Sequence, residues 1–99
     1  MKERASAMWK ILRGIRNESV ILTLIGRIDG ESLEELKRVI RLERDQKLVL
    51  DLKDVTVVDQ SAIRFLVRCE AENATLENSP AYIREWIAAE KHGNRKRVP

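Results

Sequence analysis

Ser61 stands two residues after Asp59, where the apolar run Val55-Thr56-Val57-Val58 gives way to an amphipathic stretch. A hydroxyl in that position has two chemical uses. As a nucleophile it needs a nearby base, and Asp59 is the one evident candidate. As a phosphate acceptor it needs an environment that tolerates an anion, which a helix start supplies through unpaired N–H groups and the positive end of the helix dipole. A local role competes with both: Ser61 or Asp59 can serve simply as an N-cap, its oxygen accepting an N–H of the first turn. The remaining chemistry-bearing residues are scattered. Asp29 and Asp59 are a conceivable pair for a divalent cation, but two carboxylates from loops more often form a solvated acidic patch. The only histidine, His92, lies in the basic C-terminal segment, and neither a glycine-rich phosphate loop nor a metal-ligand cluster is present. The sequence therefore offers no catalytic set and implies no cofactor and no metal.

The elements that must position Ser61 follow from periodicity. Ala62, Phe65, Leu66 and Cys69 fall at i, i+3, i+4 and i+7, one stripe of a helix, while Arg64, Arg68 and Glu70 fall off it. Cys69 on that stripe reads as a buried thiol, and a single cysteine excludes an intrachain disulfide. Upstream, Leu48 to Leu52 is apolar on both alternating faces and predicts a central strand. Met8 to Ile15 alternates in part and predicts an edge strand; Asn17-Glu18-Ser19 is a turn; Val20 to Ile25 predicts a second, more buried strand, so the two form an antiparallel hairpin.

Gly26 to Gly30 breaks the pattern, and Ser32-Leu33-Glu34-Glu35 has capping-box spacing ahead of Leu33, Leu36, Val39 and Ile40, which predicts a first helix capped by Ser32. A short strand is expected at Ala74 to Glu77. Ser79-Pro80, an N-cap followed by proline at the first helical position, opens a last helix with Ile83, Trp86 and Ile87 on one face. The expected order is β-β-α-β-α-β-α, an α/β fold whose later strands run parallel and whose amphipathic helices cover a mixed sheet.

A 99-residue chain that is 43% hydrophobic and 35% charged has the size and composition of one soluble domain. No apolar run approaches the ~20 residues of a membrane span, and the N-terminus lacks the apolar segment of a secretory signal, so the cytoplasm is the expected compartment. The net charge of +3 is unevenly spread: residues 1–90 carry fifteen basic and sixteen acidic side chains, whereas Lys91, Arg95, Lys96 and Arg97 stand beyond every acid. The expected division is a domain over residues 8–90 and a basic, disordered tail over 91–99. A slightly acidic body argues against a dedicated nucleic-acid face. Trp9 and Trp86 read as packing aromatics, and uncovered sheet edges or helix faces would favour a homodimer.

Three segments give this pattern a family likeness. Gly26-Arg27-Ile28-Asp29, Leu50-Asp51-Leu52 followed by Val58-Asp59-Gln60-Ser61-Ala62, and Asn78-Ser79-Pro80-Ala81-Tyr82-Ile83-Arg84 stand in an order and spacing that resemble the STAS domain of sulfate transporters and anti-sigma factor antagonists, from about Met8 to about Ala89. The resemblance implies a small protein-interaction switch rather than an enzyme. In the family's bacterial antagonists the serine matching Ser61 is phosphorylated by an anti-sigma factor that is also a kinase, and the unphosphorylated form binds that factor. Asp59 matches the acidic residue two positions before the serine, and Asp29 the acidic turn near it. Gln60 and Ala62 depart from the family's small-hydroxyl and glycine positions, and relative to the family the second helix and the C-terminus look shortened.

The expected phosphorylation site is thus Ser61, and the expected partner surface comprises Asp29, Asp59, Gln60, Ser61, Ala62, Arg64 and Arg68. The expected partner is an anti-sigma factor with serine kinase activity or another STAS-binding protein. The alternatives are a docking subunit of a transporter or sensory complex with no phosphoswitch, and a small enzyme, for which the residues offer little.

Overall fold

The structure, a computed structural model, describes residues 4–5, 9–43 and 45–96. Its core is a mixed sheet of four main strands with three helices, in the expected order: β2 (Trp9–Arg16), β3 (Ser19–Ile28), α1 (Gly30–Leu42), β4 (Lys47–Val58), α2 (Gln60–Ala71), β5 (Ala74–Glu77) and α3 (Ala81–Lys96). A two-residue strand not anticipated from the sequence, β1 (Arg4–Ala5), pairs with the outer edge of β2. The sheet order is β1-β2-β3-β4-β5. The β2–β3 hairpin is antiparallel, and β3, β4 and β5 run parallel, joined by crossovers through α1 and α2.

The hairpin turns on Asn17 and Glu18, both left-handed at φ 51° and 68°. Two successive positive φ values make the type I′ geometry that matches the twist of the flanking strands. Asparagine accepts that conformation readily; glutamate does so at a cost.

Val20, Leu22 and Leu24 on β3 and Leu48, Leu50 and Leu52 on β4 point to the same side of the sheet, where they form one cluster with helix residues such as Leu36, Ile63, Leu66 and Ile83. All three helices contribute to this cluster, so they cover one face.

β4 is longer than the strand expected over Leu48 to Leu52: it continues to Val58 beside β3, and two register shifts let the extra residues be absorbed. Gly26 lies at the second shift with φ 90°, a conformation that disfavours side chains, which explains a glycine there.

Helix starts also differ in detail. Ser32 is not the cap of α1; Asp29 is, and the helix begins at Gly30. Ser32 takes the third helical position of a reciprocal capping box, accepting the Asp29 N–H at 2.9 Å and donating to the Arg27 carbonyl at 3.0 Å. Its hydroxyl is fully buried and fully used. At α3 the Pro80 carbonyl accepts from Ile83 and Arg84, each at 3.0 Å, so the helix opens at Ala81, one residue later than expected. α3 then runs through Lys96, past the boundary drawn at residue 90, and Lys91 bonds Glu70 of α2 at 2.8 Å. Residues 97–99 of the expected tail lie outside the described residues.

Candidate functional site

β3 and β4 end together. Ile28 and Val58 are paired neighbours, both buried, and each is followed directly by an aspartate that caps the next helix, Asp29 for α1 and Asp59 for α2. Adjacent strands are ~4.8 Å apart, so this register alone brings two carboxylates and two helix N-termini to one rim of the sheet. Asp29 is partly exposed, with its Oδ2 3.8 Å from the Arg27 Nε.

At α2, Asp59 has extended backbone and its Oδ1 accepts the Ala62 N–H at 2.9 Å, the bond expected of an N-cap. Ser61 is therefore not the cap. It occupies the second helical position, exposed, with its Oγ donating to the same Asp59 Oδ1 at 3.0 Å. Gln60, the first helical residue, is also exposed.

The other expected surface residues divide. Ser61, Arg64 and Arg68 fall at i, i+3 and i+7 and form one exposed stripe of α2. Arg64 Nε lies 3.3 Å from Glu90 Oε2, which ties that stripe to α3. Ala62 departs from its expected place: its side chain is fully buried in the core, because the position faces the sheet, and what it adds to the rim is its backbone N–H.

Two residues of this rim were not singled out from the sequence. Val57 is 48% exposed and Tyr82 45%. The Tyr82 hydroxyl donates to the Thr56 carbonyl at 2.9 Å, which sets its ring end against the peptide that leads into Val57. Val57 is hidden in an apolar run, and only the β4 register shifts turn it outward; Tyr82 reaches β4 because β5, whose last paired residue is Glu77 opposite Asp51, has ended by then.

Chemically, the rim gathers two carboxylates, a hydroxyl and guanidinium groups at one end of the sheet. The Asp59 Oδ1 accepts both the Ala62 N–H and the Ser61 hydroxyl, so the carboxylate nearest the serine is also the cap of α2. His92 is exposed on α3, and among the described residues no three potential metal ligands gather. No helix among the described residues is long and apolar enough to cross a membrane.

Comparison with known proteins gives one family. A family model described as STAS domain matches residues 10–72, which run from β2 through the end of α2 and include Asp29 and the Asp59–Ser61 segment. Comparison with curated proteins found no match.

Proposed function

The chain belongs to the STAS domain family, and from that membership and the geometry of the rim we propose a partner switch controlled by phosphorylation of Ser61. A STAS domain supports a regulatory, protein-interaction role in general terms. The finer reading rests on one observation: Asp59 holds the cap of α2, leaving the Ser61 hydroxyl exposed at the second helical position with no N–H of its own to satisfy.

A phosphate on Ser61 adds about −1.5 to −2 charge. The N-terminus of α2 favours that charge within the domain. Esterification also removes the proton that Ser61 donates to Asp59, so two anionic groups then face each other where a hydrogen bond stood. The phosphate must turn outward, toward a bound partner, which would have to desolvate it. The fold survives; the complex does not. The partner that fits is an anti-sigma factor with serine kinase activity, which would bind the unphosphorylated rim across Asp29, Asp59, Gln60, Ser61, Arg64 and Arg68.

Val57 and Tyr82, exposed beside the rim, favour a second reading in which the same surface docks constitutively to a subunit of a transporter or sensory assembly. Partner affinity separates the two. With a purified anti-sigma kinase, Ser61→Ala should bind like wild type and Ser61→Asp at least tenfold more weakly. Equal affinity of unmodified and fully phosphorylated protein would leave only the constitutive reading.

A further inference from the structure

Ser61 and Arg64 stand three residues apart on the exposed stripe of α2, with Ser61 nearer the N-terminus. Residues at that spacing have Cβ atoms about 5–6 Å apart, and an anion placed before a cation is the favourable order along a helix. Long helical side chains lean back over the preceding turn, so the Arg64 guanidinium has Ser61 within its sweep. In the unmodified chain it serves another residue. Its Nε donates to Glu90 Oε2 at 3.3 Å, a link from α2 to α3.

The two ends of this link differ in exposure. The Arg64 side chain is 60% exposed and the Glu90 side chain 15%. A pair with so exposed an arginine contributes little and exchanges at small cost. Among the described residues only Nε of the guanidinium is engaged, which leaves the fork that binds phosphate bidentately unused. A second tie joins the same helices, Lys91 Nζ to Glu70 Oε1 at 2.8 Å. Glu90 lies beyond residues 10–72, so the Arg64 link is a feature of this chain outside the family match.

We propose that phosphorylation of Ser61 moves Arg64 from Glu90 to the phosphate and so carries the signal from the rim into α3. This rests on the Ser61 reading and deepens it. The kinase supplies the phosphoryl group from a nucleoside triphosphate: the Ser61 Oγ–P bond forms as the bond to the leaving diphosphate breaks, and the hydroxyl proton is released. Asp59, no longer receiving that proton, repels the phosphate along the stripe toward Arg64. Two consequences follow. The Arg64 charge is withdrawn from the partner surface, and Glu90 is left mostly buried without its cation, with Lys91 and Glu70 still tying α3 to α2.

Hydrogen exchange of the α3 amides from Ile87 to His92 tests it, in the full chain with phosphoserine placed at position 61 by synthesis. Phosphoserine should speed their exchange about two- to fivefold, the range of a lost exposed ion pair. Arg64→Gln should show the faster rates without phosphate, and phosphoserine should add nothing. Lys91→Gln should also begin faster, but there phosphoserine should add its full increment. The Arg64 and Lys91 side chains are 60% and 49% exposed, so both variants should keep the wild-type circular dichroism. Unchanged α3 rates in the phosphorylated wild type overturn the proposal, as does an equal increment in Arg64→Gln. Because synthesis places the phosphate, a Ser61 found unmodified in native cells fails the switch alone, whereas unmoved α3 amides fail the exchange of Arg64 alone.

Discussion

Asp59 and Ser61 share one hydrogen bond but hold the structure unequally. Asp59→Ala removes the cap of α2 and should cost about 1 kcal/mol in urea unfolding, whereas Ser61→Ala leaves the Ala62 N–H satisfied and should change stability by less than about 0.5 kcal/mol. A Ser61→Ala loss as large as that of Asp59→Ala would return the serine to a capping role. The sequence placed a hydroxyl and a carboxylate at a helix start; it left open which of them capped, because both types are good caps and only backbone geometry separates the N-cap from the second helical position. Cys69 is plainer. Burial, with the charge of Glu72 adding to it and Arg68 opposing it, pushes its thiol from an ordinary 9.0 up to about 12. The fold thus keeps the neutral thiol, and its contribution is intact below the unfolded value, then is lost as pH rises from about 9 toward 12. The melting temperature should fall more steeply over that window in wild type than in Cys69→Ala; identical slopes would contradict the burial argument.

At the scale of elements, the hairpin turns on two left-handed residues and the end of β3 carries one, Gly26. Glu18→Gly should stabilise the protein by about 1 kcal/mol by relieving a positive φ at a side-chain-bearing residue, and Gly26→Ala should destabilise it by about 1–2 kcal/mol for the converse reason. Denaturant titration of both variants checks the pair, and a neutral Gly26→Ala would mean the second register shift of β4 is dispensable. The strands, the helices and their order were legible from continuous apolar runs such as Val20 to Ile25 and from helical stripes such as Ala62 to Cys69. The length of β4 was not, since its register shifts break the alternation that would have revealed Val57 as outward-facing. The start of α1 was missed for a related reason: Ser32 belongs to a capping box, but as its third member, and Glu35 three residues on imitated the box in the wrong frame.

For the whole molecule, the parallel strands gather Asp29, Asp59 and Ser61 at one rim by register, while all three helices pack into one core cluster on one side of the sheet. The family likeness at residues 10–72 carries the interaction role; the exposed, non-capping Ser61 carries the proposed control. The most direct test is intact-mass and phosphosite analysis of the protein isolated from its native cells under varied growth and stress, with Ser61→Ala as control. A single phosphate on Ser61, absent from the control, is the expected result; an unmodified Ser61 under every condition would contradict the switch.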